Sequence, residues 1–579
     1  MATITSAERD VVRGEPRGVI HDGWNRGEAS NQEIRSAELS LGLNACGELA
    51  QIRVADLQIS QYAIGPHDAP VGGLWLRHHA CSGLQVMSLT GAYAHGRHRV
   101  FGNGAVWSGE GLGVDWRVTL TADEHPEQDA SWSWTIEIQP GRRNGNPADV
   151  HDGVWDVVSA QDLALAPAAQ ALTSEPYISQ YVAFHVHNSH DMGKILAARQ
   201  TMACAPRLPL YLTSIREGCA GYMTDGFDFY GTSARLGREP RALKTADWSA
   251  NRIDQYEFSM ACMQAKPRPL AEQLVWHVDS SVALDYRGEL DEVSSRYEES
   301  EVRRRACSGA RAGLRPAGEY PLNQQPAEQQ SATRRPVAHQ LVEQRSVDQP
   351  ATVQQHEGSR DSASLLASAP LLDGDDLDND ALRALSSGAM ESPEYDDSGK
   401  LLSYFGPRAR HVVSREKELR VDRSHGQILL CGCGIADPNR HAFAATTYAP
   451  GVFASHVVLG NTNMNRLVSV QHTSLNLLRS QGVRILVRAA ADQPSSIGHD
   501  WMMLGVPSAY IMEVGGSQWI YRIGESTVTV DTTAAADCDQ IDIRLQSTSP
   551  LDFMLTVEIE QGGDWDIAGS LDRDMSGVV

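Results

Sequence analysis

The pair His185-Val-His187, with His190 close behind, puts two imidazoles on one side of an extended strand, because successive strand side chains alternate faces. Neutral imidazoles so placed can bind Zn or Fe, but a site needs further ligands, and no carboxylate stands at a recognisable spacing. Sheet-packing or surface histidines are the expectation. Cys431-Gly-Cys433 shares the geometry and the lack of two more ligands, so small buried side chains are expected there. The run Asp373-Gly-Asp-Asp-Leu-Asp-Asn-Asp380 offers the carboxylates a calcium loop uses. Read from Asp376, however, Ala381 falls where the sharp turn requires Gly, and Ser387 falls where a bidentate Glu should close the site. A solvated acidic linker is expected. No metal and no cofactor is assigned.

Phe101-Gly-Asn-Gly104 and Ser108-Gly-Glu-Gly-Leu-Gly113 could cradle a phosphate, since glycines let backbone N–H groups approach an anion. No Lys-Ser/Thr pair follows, and the flanks alternate like strands, so hairpin turns are expected instead. The sequence has no G-x-S-x-G elbow and no H-E-x-x-H, and its scattered carboxylates give no way to choose a glycosidase-type acid and base. No catalytic residue is named. Of the 12 Trp, several lie in or beside strand-like runs, and Trp107 and Trp116 are offered as substrate-binding residues that could stack on sugar rings. Most of the tryptophans are expected in the sandwich core.

The elements that must position these residues are mainly strands. Ser131-Trp-Ser-Trp-Thr-Ile-Glu-Ile138 alternates with period two, gathering Trp132, Trp134, Ile136 and Ile138 on one face, and Tyr256, Phe258 and Met260 repeat the pattern. Turn pairs at Asn144-Gly145, Asp152-Gly153 and Asp225-Gly226 separate such runs, which predicts a large antiparallel β-sandwich. A mixed-charge helix is expected over 290–305. Beyond it, no aromatic residue occurs between Leu322 and Glu394, and Pro321 to Arg360 holds nine Gln. Such a segment cannot bury enough apolar surface to offset its ordering entropy, so a partly disordered linker is expected over about 310–362, with Asp380 capping a brief helix from Ala381. Strands return after Lys400, among them Val483–Val487, Gln518–Arg522, Ser526–Val530 and Phe553–Ile559. The organisation read from the sequence is an N-terminal tail (1–36), a first β-sandwich (37–305), a linker with a short helix (306–390) and a second β-sandwich (391–579). The fold class is mainly β, with few helices.

The chain has 579 residues, 41% of them hydrophobic, which suffices for real cores. With 73 Asp and Glu against 50 Lys and Arg, its formal charge of −23 disfavours nucleic acid and anionic membrane as partners. A neutral ligand fits better. Nine Cys without a disulfide framework, together with an N-terminus lacking a leader pattern, place the protein in the cytoplasm as an expectation.

Longer motifs carry a resemblance. Gly399-Lys-Leu-Leu-Ser-Tyr-Phe-Gly-Pro407, His411-Val-Val-Ser-Arg-Glu-Lys-Glu-Leu419, Ser455–Asn463, Trp501–Tyr510 and Trp519-Ile-Tyr521 resemble, in order, the 1,2-β-oligoglucan phosphorylases. More distantly they are similar to the phosphorylase-like region of cyclic β-1,2-glucan synthases. Leu74–Arg77, Glu175-Pro-Tyr-Ile-Ser-Gln-Tyr181, Gly193–Met202 and Asn251-Arg-Ile-Asp-Gln-Tyr-Glu-Phe258 follow that family's N-terminal pattern. The resemblance implies galactose mutarotase-like supersandwich domains preceding an (α/α)6 barrel that carries the general-acid Asp and the phosphate site. The tail Asp564–Ser576 has no succession of long amphipathic helices, so the barrel is expected to be absent from this chain.

On this resemblance the chain is expected to be a non-catalytic, carbohydrate-associated sandwich portion. The complete enzyme would use inorganic phosphate as co-substrate to cleave β-1,2-glucooligosaccharides with inversion, releasing α-glucose 1-phosphate, and a separate barrel-containing chain is a candidate partner. The alternative is a stand-alone β-glucan-binding protein without catalysis.

Overall fold

The computed structural model describes residues 32–288 and 369–557, apart from loop segments inside those spans, the longest being 142–150 and 432–442, together with Val293 and Leu365. The Gln-rich stretch 310–362, nearly all of the helix expected over 290–305, and Cys433 lie outside the described residues.

Period-two alternation becomes burial along the first-unit strands. In Ala130–Pro140, Trp132, Trp134, Ile136 and Ile138 turn inward, while Ser133, Thr135 and Glu137 remain half-buried. This strand is central: Trp134 faces Leu120 of Val114–Ala122 on one side and Val278 of Leu274–Ala283 on the other. An eight-stranded sheet runs, in spatial order, 182–189, 193–200, 210–215, 274–283, 130–140, 114–122, 104–111 and 96–101. Two five-stranded sheets complete the unit, and one apolar core draws residues from all three, including Ile34, Leu76, Trp155, Trp116 and Trp276. The glycine-rich stretch forms two successive hairpins here. Gly96 and Gly109 serve packing, since a Cβ at either would come within 2.5 and 2.6 Å of the Trp116 ring.

The second unit repeats the plan with a seven-stranded sheet (391–395, 401–406, 410–414, 509–513, 516–523, 526–534, 541–547) and two four-stranded sheets. The apolar block 500–523 supplies strands Met502–Leu504, Ala509–Glu513 and Gly516–Ile523, the last two joined by a tight turn at Val514-Gly515, where Gly515 takes φ +76°. Tyr510, Trp519 and Tyr521 are buried on it, and their polar atoms find partners: Trp519 Nε1 donates to Tyr448 O (2.8 Å) and Tyr521 Oη to Gly505 O (2.9 Å). Among the described residues the named strands pair antiparallel, except that Leu371–Leu372 runs parallel to Met502–Leu504.

The acidic run behaves differently from a solvated linker. Asp373 Oδ1 accepts from Val506 N (2.9 Å), Asp375 Oδ2 from Gly524 N (2.7 Å), and Asp376 pairs with Arg415 (3.0 Å). Asp378, two residues before the expected cap, accepts from Ala381 N (2.8 Å) and starts the helix Asn379–Ala384. Residues 371–385, placed with the linker on sequence, thus contribute a strand and a helix to the second unit. The physical reason is that Asp373 and Asp375 meet backbone N–H groups of Val506 and Gly524 and Asp376 meets Arg415, partners that a linear reading does not bring near.

Candidate binding surface at the seam of the two units

Two of the first-unit motifs, 175–181 and 251–258, converge on one surface. Gln180 Nε2 donates to Glu257 Oε1 (3.1 Å), and Gln255 Nε2 donates to Gln180 O (2.6 Å). Beneath them the buried Ser259 Oγ donates to Ser179 O (2.9 Å), riveting the turn after helix Glu175–Ser179 to strand Ser259–Ala265. With the backbone held this way, the rings between the rivets face outward. Tyr177 is 52% exposed and meets Tyr181 edge-on at 5.2 Å; Tyr256 is 39% exposed and leans on Phe227 at 5.7 Å. Ile253 extends the rim. Exposed rings beside fixed amide and carboxylate groups can stack on a sugar face and hydrogen-bond its hydroxyls.

The second unit meets this surface through residues 418–425. Arg423 Nε donates to Glu257 Oε2 (2.8 Å), the second arm of a bidentate pair across the seam. Arg235, wholly buried, donates to the carbonyl oxygens of Glu418, Val421 (2.6 Å) and Asp422 (2.6 Å). Burial lowers the Arg235 pKa, against the opposing pull of Glu418 and Asp422. Glu418 in turn accepts from His425 N (3.1 Å), with His425 Nδ1 2.7 Å from the same oxygen. Below the seam, Leu475 and Leu478 join Tyr62, Phe229, Trp248 and Phe258 in one apolar cluster, and Arg479 N donates to Asp68 Oδ1 (2.6 Å). The two units therefore share a core as well as ion pairs.

Two acids near this surface are displaced from the ordinary carboxylate range. Burial pushes Asp225 up to about 6, with Asp228, Asp254 and Asp422 adding to the rise, while its bond from Phe227 N (3.0 Å) opposes it. Burial likewise pushes Asp162 up to about 7, although it accepts from Tyr62 N (2.9 Å). Asp162 is sealed in the interior and Asp225 caps the helix Gly226–Tyr230, so both act on the fold.

The structure places Trp107 and Trp116 inside the first sandwich, at 2% and 0% exposure. Trp107 Nε1 donates to Gly47 O (2.8 Å), and Trp116 is walled by Gly96 and Gly109, so neither presents a ring face to solvent. Both stand at inward positions of alternating strands, the pattern that already favoured the core. Tyr177, Tyr181 and Tyr256, which do form a surface, lie within the family-like motifs, but alternation alone puts Tyr256 on the face of Phe258 and gives no sign of its exposure. His185 and His187 lie on strand Val182–Ser189, and among the described residues no group of three or more His, Cys, Asp and Glu could hold a metal ion. Among those residues, too, no helix is long and apolar enough to cross a membrane. Cys431 is buried, its thiol directed to Gln540 O (3.1 Å).

Two family models match this architecture: the SOGP N-terminal domain across residues 43–277 and the glycoside phosphorylase supersandwich domain across 390–564. A curated relative, 1,2-beta-oligoglucan phosphorylase of Listeria innocua serovar 6a, is 26% identical over 526 residues, covering 91% of this chain and 41% of its own length. The chain resembles the 1,2-β-oligoglucan phosphorylases along both sandwiches, and it spans about two fifths of the length of that relative. Among solved structures, 4-alpha-glucanotransferase of Thermococcus litoralis (8% identity, 44% of this chain and 39% of that one, TM-score 0.19) is too slight a likeness to carry an argument. The same holds for a putative aldose 1-epimerase of Klebsiella pneumoniae (7% identity, 46% and 79% coverage, TM-score 0.19).

Proposed function

We propose that this chain is the carbohydrate-associated sandwich portion of a β-1,2-glucooligosaccharide phosphorylase and that the groups which break the glucosidic bond lie outside the described residues. The observation that carries the reading is the pair of family matches, which together span both sandwiches, and the larger part of the relative's length lies outside the match. In the complete enzyme, a general acid protonates the leaving oxygen while inorganic phosphate attacks the opposite face of the sugar, giving α-glucose 1-phosphate with inversion. The seam surface, with Tyr177, Tyr256 and the Gln180–Glu257–Arg423 bridge, borders the oligosaccharide in this reading. A barrel domain, on this protein or on a separate chain, is its partner, and the cytoplasm, where phosphate is abundant, is its place.

Incubation of the chain with β-1,2-glucotriose and phosphate, with enzymatic detection of glucose 1-phosphate, tests the assignment alongside isothermal titration with the same sugar. Saturable binding at millimolar sugar without glucose 1-phosphate is expected. Glucose 1-phosphate released by the chain alone would overturn the non-catalytic role, and absence of heat at millimolar sugar would overturn the carbohydrate role.

A further inference from the structure

A row of side chains on the seven-stranded sheet has features that packing does not explain. Phe405, His411 and Met512 are register partners on three neighbouring strands and so share one face. Phe405 is 40% exposed, and the His411 ring lies flat against it at 4.2 Å and 12°, with Glu391 its register partner on the other side. His411 is half-buried and meets His425 edge-on at 5.9 Å, yet neither of its ring nitrogens has a hydrogen-bond partner among the described residues. The neighbouring polar groups are otherwise engaged: Glu394 pairs with Lys417 (2.6 Å) and accepts from Ser403 Oγ (2.9 Å), and His425 is committed to Glu418. Burial, then electrostatic interaction with His425 and Lys417, holds the His411 pKa down to about 4, so at neutral pH its imidazole keeps one donor and one acceptor.

A half-buried imidazole with both nitrogens unengaged, lying beside an exposed aromatic face, suits a ligand with an apolar C–H face and hydroxyls at its edge. We propose that Phe405 and His411 form a sugar subsite on the second unit, taking one pyranose ring of a neutral β-glucooligosaccharide against the exposed part of Phe405, with a hydroxyl of the adjoining glucosyl unit bonded to His411. The subsite rests on the reading that this chain binds such sugars and places a contact away from the first-unit rim. Stacking on one ring plus one hydrogen bond makes each residue worth about tenfold in affinity.

Diethyl pyrocarbonate, which acylates unprotonated imidazole nitrogens, reads the site out when carbethoxylation of His411 is quantified by peptide mass spectrometry with and without saturating β-1,2-glucotriose. His411 is expected to react at pH 6.5 and to be protected severalfold by the sugar. Phe405→Ala is expected to lower that protection and to weaken calorimetric binding about tenfold, whereas Val514→Ala, at the exposed turn of the same sheet, leaves both unchanged. If calorimetry shows binding and His411 is not protected, the subsite is wrong and the carbohydrate reading stands. If His411 does not react, the subsite is also wrong, because the ring is then closed to ligand. If no heat is seen at millimolar sugar, both fall. Circular dichroism of Phe405→Ala separates loss of the site from loss of the fold, and Phe405→Tyr, which keeps the ring face, is expected to retain protection.

Discussion

The two units use their buried aromatic residues with different emphasis. In the first, Trp107, Trp116, Trp132, Trp134, Trp155 and Trp276 fill one apolar core, and the indole N–H groups of Trp116 and Trp276 have no hydrogen-bond partner among the described residues. In the second, Tyr510 Oη sits 2.9 Å from Thr447 Oγ1 and 3.0 Å from Ser517 Oγ, and Gln427 Nε2 donates to the same Ser517 oxygen (2.7 Å). Trp519 and Tyr521 each bond a carbonyl. In the first unit the rings act chiefly as volume, with single ties such as Trp107 Nε1 to Gly47 O (2.8 Å) and Trp248 Nε1 to Ala242 O (3.0 Å). In the second they also act as polar ties that fix one sheet's register on another, and burial pushes the Tyr510 pKa above the ordinary tyrosine range. The number of aromatic residues therefore says little about where a ligand binds, and the ring faces left open by a rigid backbone say more.

Substitutions can break this contrast at different strengths. Trp116→Ala should cost the most, about 3–5 kcal/mol in denaturant unfolding, because the enclosed site between Gly96 and Gly109 cannot collapse. The same variant should leave sugar affinity unchanged when assayed below its unfolding range. Arg235→Met should cost about 3 kcal/mol, since it strips three carbonyl oxygens and the buried Glu418 of their cation and loosens the seam. Limited proteolysis should then cut more readily near residues 418–425. Tyr256→Ala should weaken β-1,2-glucotriose binding about tenfold, or about 1.4 kcal/mol, with little change in unfolding because the ring is partly exposed. Tyr510→Phe should reverse that pattern, costing about 1 kcal/mol of stability for the lost hydroxyl with no effect on binding.

The smallest effect is on pH dependence. The folded-state value of Asp225, about 6, lies above its ordinary 3.8, so between these values the folded chain holds a proton that the unfolded chain has released. Stability from this group is greatest below about 3.8 and falls as pH rises through 6; Asp162 acts in the same direction up to about 7. Asp225→Asn, which can still cap the helix at Phe227 N, should flatten the unfolding midpoint between pH 4 and 6 and leave the Asp162 part of the slope.

Much of this architecture is legible in the sequence. The alternation over Ser131–Ile138, the glycine-punctuated hairpins and the Asp500–Ile523 block all encode strands by the side-chain period, a local property. The seam is not local. Arg235 lies 183 residues from Glu418, and Glu257 lies 166 from Arg423, so no spacing rule links them. The carboxylates of 373–380 look solvated in sequence because their partners, Val506 and Gly524, arrive from a distant hairpin. Trp107 and Trp116 drew attention by residue type, yet their inward strand positions decided their burial. Tyr256 stands on the inward-reading face by alternation, but it precedes strand Ser259–Ala265, outside the stretch where that rule applies.

Hydrogen–deuterium exchange of the full chain, with and without saturating β-1,2-glucotriose, addresses the central claim directly: that open ring faces at the seam and on the second sheet, and not the tryptophan-rich interior, take the sugar. Slower exchange confined to peptides spanning 175–181, 251–258 and 403–413 is the outcome the account requires. Sugar-dependent protection confined to the strands 104–122, or none in any of the three segments while calorimetry reports binding, would contradict it.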